Sequence, residues 1–425
     1  MLPRSFFSAD HHDNTRSGKA IGFKLTAIWD MIDVKPLFRI PTGVLFAKKT
    51  NKTKRSLPVT GLDGISFTGN LPAHNCNLPT AEAKLAQEQV KWFYSRQGKG
   101  SAFSNQKSKG NSSPNPYKNL FKKGAELTPR GFYFVQLSQE EPPDYIDRII
   151  NIKTADASQT DAKAPWKGFD FNGKIESQFL FRTALSKSIL PFQLYKPELV
   201  VLPITINNNK YGQKEIQLHS VNELMKEGFL NASKWFQAVE NIWSIHRTEK
   251  NKSISAIDYV NWHNKLITQN LNFRYLVLYN ASAKNANSTI VYRTKIDFNF
   301  FVDHKTYVFY TNEEEEAYYL TAILNSNIPN EMMKDFQTKG LFGARDVHKK
   351  ILDIYYPKFN ATNETHQKLA VLSQAAHAKA AQYIKDNSPK QELTAMYLGR
   401  LRMAIKKHLT KEMQEIDELV EEIIV

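Results

Sequence analysis

Cysteine is almost absent from this chain. The one residue, Cys76, excludes an internal disulfide and a cysteine-based zinc site, and its neighbours His74, Asn75 and Asn77 lack metal-ligand spacing. It reads as a structural side chain. No stretch approaches the roughly 18 consecutive apolar residues of a membrane span, and the first twenty residues carry Asp10, Asp13 and basic side chains where a signal peptide would be apolar. No membrane partner and a cytoplasmic location are therefore expected. Catalytic signatures are missing too: there is no P-loop, no G-x-S-x-G elbow, no H-E-x-x-H, no EF-hand spacing and no nuclease-like Asp and Glu-x-Lys pair after a strand. Gly98-Lys99-Gly100 lacks the third glycine of a dinucleotide loop and is expected to follow a helix, so it is a poor nucleotide site. No internal repeat of about 20 to 50 residues is present.

What is there is positive charge. The 57 Lys and Arg against 42 Asp and Glu leave +15, which favours an anionic partner. Between Asp33 and Asp63 there is no acidic residue, while Lys48, Lys49, Lys52, Lys54 and Arg55 cluster; a solvated loop and a phosphate contact both fit. From Arg96 to Arg130, eight basic residues face one acid, Glu126, in a stretch with little apolar content before Phe121. That composition suggests a mobile loop facing a polyanion.

With 41% apolar residues the chain has enough material for two or three packed units. Residues 1–48 read as a helix-to-strand closing unit, with an apolar-periodic run at Leu25, Ile28, Trp29 and Ile32 before the strand-like Gly43 to Ala47. Residues 49–117 read as a basic linker with one helix, Ala81 to Arg96, capped by Thr80. From 118 to 360, strand-like runs at Gly131 to Val135, Glu198 to Ile204 and Phe273 to Tyr279 alternate with helical pieces at Val221 to Glu227 and Lys234 to Trp243. The tail, 361–425, reads as a helical hairpin: one helix from Glu364 to Lys385, a break at Ser388-Pro389, and a long helix from Glu392. Its seam of Leu398, Leu401, Ile405, Leu409, Met413, Ile416, Val420 and Ile423 is expected to pack inside its own protein.

His11-His12-Asp13 has no partner cluster nearby, and Trp262-His263-Asn264 reads as packing and surface, so no metal ligand is assigned. The run Glu313 to Glu316 precedes Ala317-Tyr318-Tyr319-Leu320, where a helix N-terminus favours negative charge.

Several segments resemble one family. Met1-Leu2-Pro3-Arg4-Ser5-Phe6-Phe7, Trp29-Asp30, Pro36-Leu37-Phe38 and Val44 to Lys48 resemble the last catalytic-domain segments of N6-adenine DNA methyltransferases of the restriction-modification type. Phe121 to Val135, with its Gly124-Ala125 and Pro129-Arg130 pairs, is similar to the entry of that family's target-recognition region. Tyr319 to Ser326, Gly343 to Lys349 and Ile354-Tyr355-Tyr356-Pro357 resemble the TaqI-like C-terminal specificity domain, and Leu398 to Arg402 with Glu415 to Val420 its helical ending. The resemblance implies that the S-adenosylmethionine loop and the Asn-Pro-Pro-Tyr motif lie upstream of Met1. Pro114-Asn115-Pro116-Tyr117 and Pro142-Pro143-Asp144-Tyr145 imitate that motif in the wrong order and read as turns.

The expected fold class is mixed α/β (α+β): a remnant of the last helix and strands of a Rossmann-like methyltransferase sheet, a mixed α/β target-recognition domain, and a helical C-terminal end. The expected role is binding of double-stranded DNA. Lys122, Lys123 and Arg130 are phosphate candidates flanking a strand, and Arg345, Lys349 and Lys350 form a second cluster. No catalytic or cofactor-binding residue is assigned; S-adenosylmethionine belongs to the complete family enzyme, and a separate chain would supply its catalytic half. A stand-alone specificity subunit directing another enzyme, or an inert fragment of a split gene, are the alternatives.

Overall fold

The computed structural model describes residues 23–37, 42–50, 57, 60–98, 100–107, 113–138, 148–160, 162–340 and 343–424. Expectations resting on Met1 to Phe7, His11-His12-Asp13, Phe38, Lys52, Lys54, Arg55, Lys99, Lys109 and Pro142 to Tyr145 lie outside them. The fold is mixed α/β, with several sheets and helices at the C-terminal end.

The first sheet has five strands in the order Gly43–Lys49, Phe23–Lys35, Leu62–Asn70, Ala86–Gln97 and Gly100–Ser104. Phe23–Lys35 and Leu62–Asn70 run parallel, and the other pairs are antiparallel. The helix expected at Leu25 to Ile32 is thus a strand. Register shifts after Leu25 and after Asp30 explain the helix-like spacing: each bulge moves the buried positions by one residue, so Leu25 and Ile28 share a face, and so do Trp29 and Val34. The helix expected at Ala81 to Arg96 is also corrected. It spans only Leu78–Lys84, capped by Asn77, whose Oδ1 accepts from the Thr80 backbone N at 3.0 Å. Ala86–Gln97 is a strand because Val90, Trp92, Phe93 and Tyr94 suit a sheet, and pairing to Leu62–Asn70 overrides the local helix propensity of Gln87 to Gln89.

The second sheet is antiparallel, in the order Leu180–Thr183, Glu198–Val201, Phe134–Leu137, Ile149–Thr154 and Asn172–Glu176. Helix Leu230–His246 buries Trp235, Phe236, Val239 and Trp243 against it. The strand expected at Gly131 to Val135 begins only at Phe134, after a helical turn at Arg130–Tyr133. Within that turn Gly131, Phe132 and Tyr133 are all buried.

The third sheet has the order Ser288–Tyr292, Tyr275–Asn280, Thr306–Thr311 and Lys122–Lys123. Helix Glu314–Asn325 covers it, and every residue from Glu316 to Asn325 is buried, as befits a helix enclosed on all sides. Helix Glu364–Asp386 packs on that helix in turn. The seam residues from Leu398 to Val420 are buried in this same core, as the sequence suggests, but the single long helix is two, Ala395–His408 and Thr410–Ile424, broken at Leu409.

One half-buried group makes this packing sensitive to acid. His377 stands between the rings of Phe192 and Tyr318, and its Nδ1 lies 2.8 Å from the Ser373 carbonyl, so Nδ1 carries the proton. Nε2 is buried without a hydrogen-bond partner among the described residues. Burial pushes its pKa down to about 4, against about 6.5 in an unfolded chain. Protonation therefore favours unfolding: this contribution is whole above pH ~6.5 and is lost progressively toward pH ~4, a cost of roughly 3 kcal/mol. Urea midpoints measured across that window should fall with pH in the wild type, and His377→Leu should flatten the fall.

Candidate nucleic-acid interface

The third sheet places the basic candidates. Two buried rings hold the segment that leads to its edge: Tyr117, whose hydroxyl donates to Glu316 Oε1 at 2.9 Å and accepts from the Phe359 backbone N at 2.8 Å, and Phe121, packed near Tyr279 and Phe309. Glu316 also accepts from Thr311 Oγ1 at 2.8 Å, so the acidic run at this helix start includes one carboxylate that ties the segment down. The imitation motif around Asn115 is structural: Asn115 Nδ2 donates to the Ile354 carbonyl at 2.6 Å, and Oδ1 accepts from the Tyr117 N at 2.8 Å. The expected loop from Arg96 to Arg130 is corrected accordingly, because its described residues include the strand Gly100–Ser104 and this anchored segment.

Just past Phe121, Lys122 and Lys123 pair with Val308 and Tyr307 at the sheet edge. Gly124 then lets the backbone close on its neighbour: Ala125 N donates to the Val302 carbonyl at 2.8 Å, Gly124 N to Thr306 at 3.2 Å, and His304 N to the Ala125 carbonyl at 2.8 Å. A Cβ at Gly124 would lie 2.1 Å from the Val302 oxygen. This close approach accounts for the glycine in the Gly124-Ala125 pair.

The second group arrives on the turn after Val347. Val347, Ile351 and Leu352 are buried, the Tyr279 hydroxyl donates to the His348 carbonyl at 2.7 Å, and His348 N donates to the Ala281 carbonyl at 2.9 Å. Asp346 and His348 adopt φ of 62° and 40°, the left-handed region that side chains other than glycine rarely occupy. Lys349 Nζ donates to the Lys118 carbonyl at 2.9 Å, and Lys118 pairs with Asp353. The Asp353 carboxylate in turn faces Gly98, at the turn joining Ala86–Gln97 to Gly100–Ser104, so the first sheet abuts this edge.

The electrostatics show that the cations crowd one another. The Lys349 ammonium is held below the usual lysine range first by burial and then by Lys122 and Lys118, with Asp353 opposing. The His348 imidazole is lowered by burial first, with Asp346 opposing and Lys123, Lys350 and Lys305 adding to the shift. A bound anion would relieve this repulsion.

Around this edge strand, Lys122 and Lys118 come near Lys349, and Lys123, Lys305 and Lys350 near His348, from segments more than 200 residues apart in the chain. Arg130 sits elsewhere, at the start of Arg130–Tyr133, with its guanidinium 5.7 Å from the ring of Phe134 in the second sheet's core. Arg345 is placed by its backbone, opposite Thr338 in a short hairpin. Lys305 and His348 join the group without a local signal in the sequence; only the pairing of Lys123 with Tyr307 could have revealed Lys305.

Two clefts, of about 680 and 940 Å³, lie around Arg182, Lys196 and Pro197 and include none of these lysines. Among the described residues no three His, Cys, Asp or Glu side chains are placed to hold a metal ion, and no helix is long and apolar enough to cross a membrane. Among the described residues, Gly98 and Gly100 flank a hairpin between two antiparallel strands and do not form the strand, glycine turn and helix that would cradle S-adenosylmethionine.

No family model matches the chain, and no curated protein matches it. Among solved structures, it aligns with the type IIG restriction endonuclease BpuSI at 11% identity and a TM-score of 0.28, over 94% of this chain and 44% of that one. The chain therefore spans less than half the length of the structure it matches.

Proposed function

We propose that this chain binds duplex DNA as the target-recognition portion of a restriction-modification adenine-N6 methyltransferase, with residues 118–360 as the recognition region. The observation that carries the DNA contact is the cluster of Lys122, Lys123, Lys305, Lys349 and Lys350 around one sheet edge. The buried anchors Tyr117 and Phe121 fix that edge, so the ammonium groups meet phosphates with little ordering cost. The methyltransferase assignment rests on the sequence resemblance, and methyl transfer would require an S-adenosylmethionine site supplied from outside these residues. Residues 361–425 pack their seam inward and brace the region.

A labelled mixed-sequence duplex, titrated with purified protein in the presence of tritiated S-adenosylmethionine, tests this function. Binding without methyl transfer is expected. Absence of binding at low salt overturns the DNA role, and methyl transfer by the chain alone overturns its assignment as a recognition portion.

A further inference from the structure

A hairpin outside the basic cluster is built to reach a partner. Strands Ile204–Asn208 and Lys214–Leu218 form a two-stranded sheet of their own, in register from Ile204 with Leu218 to Asn208 with Lys214. Ile206, Ile216 and Leu218 rest on the second sheet's core and fix the base of the ribbon. Lys214 N donates to Asn272 Oδ1 at 2.8 Å, and Asn272 Nδ2 donates to the Lys214 carbonyl at 3.2 Å, which clamps the returning strand.

Beyond the clamp the tip is ordered by Asn209. Its Oδ1 accepts from the backbone N of Tyr211 at 2.9 Å and of Gln213 at 3.0 Å, and Asn209 N donates to the Gln213 carbonyl at 2.8 Å. Gly212 takes φ of +73° to complete the turn. The rigid tip presents Asn208, Lys210, Tyr211 and Gln213 to solvent. Tyr211 is 75% exposed, with the Lys210 ammonium 5.0 Å from its ring centroid. Asn208 makes no side-chain hydrogen bond among the described residues, and Gln213 is approached only through its oxygen, by Asn209 Nδ2 at 3.4 Å.

We propose that this ribbon enters the major groove of duplex DNA and reads an A·T base pair, a specificity role that rests on the DNA-binding function above. Asn208 and Gln213 supply the paired donor and acceptor that match adenine N7 and the N6 amine, Tyr211 packs on the thymine methyl, and Lys210 meets a flanking phosphate. A B-form major groove about 12 Å wide admits a two-stranded ribbon, whereas the A-form groove of duplex RNA is too narrow.

The test is selection from a pool of duplexes with a randomised centre, using the full chain and its Asn208→Ala and Tyr211→Ala variants, followed by titration of the enriched duplex against a scrambled one. The wild type should enrich a motif containing A·T pairs. Each variant should lose roughly 10- to 100-fold of the preference, while keeping the wild-type affinity for scrambled DNA and its salt dependence. Variants that keep the wild-type motif and preference overturn the ribbon's role. A wild type that binds without enriching any motif overturns it too and leaves the lysine cluster's role standing, whereas a wild type that binds no duplex overturns both.

Discussion

Gly124→Ala should destabilise the protein by about 3–5 kcal/mol and abolish the basic edge. The added methyl group would meet the Val302 oxygen at 2.1 Å, its carbonyl carbon at 2.4 Å and the Asp303 oxygen at 2.5 Å. All three are backbone atoms and none can swing aside. Lys122–Lys123 must then part from the segment after Val302, losing the hydrogen bonds from Ala125 N, Gly124 N and His304 N. Lys122 and Lys123 would no longer be held opposite Val308 and Tyr307. Gly399→Ala makes the contrasting case: its Cβ would meet nothing within 4 Å, and it lies in helix Ala395–His408. There alanine should stabilise by about 0.5–1 kcal/mol. Urea unfolding of both variants measures the contrast, and equal midpoints would refute the close approach.

The largest effect on binding belongs to the combined change of Lys122, Lys123, Lys349 and Lys350 to glutamine. Lys122 is exposed and the other three are half-buried, so glutamine preserves most of each stem while removing the charge. Four lost phosphate contacts should lower affinity for a mixed-sequence duplex on the order of 100-fold at moderate salt. Arg130→Gln should cost little by comparison, because that guanidinium lies against Phe134 beside another core. Fluorescence anisotropy on the same duplex separates the two. Equal losses would mean that the sheet edge has no special part in the contact.

What the sequence disclosed was local. The apolar seam of the tail, the acidic start of Glu314–Asn325 and the lysines themselves are visible in spacing and charge. The first strand was hidden because its two bulges convert a period of two into helix-like intervals. The short reach of helix Leu78–Lys84 was hidden because the pairing that claims Ala86–Gln97 comes from a strand some twenty residues earlier. The candidate site was half legible: charge marked Lys122, Lys123, Lys349 and Lys350 as candidates, but no local pattern links them to Lys305 or separates them from Arg130. That sorting is done by the third sheet and by the turn held on Tyr279.

The most direct test of the lysine edge is the salt dependence of duplex binding by the wild-type chain and the four-lysine variant. The wild type should lose roughly 100-fold in affinity between about 50 and 200 mM salt, as four or more neutralised phosphates require. The variant should give a slope shallower by about 3 to 4 on the log–log plot. Identical slopes for the two proteins would contradict the proposal that this edge carries the contact with DNA.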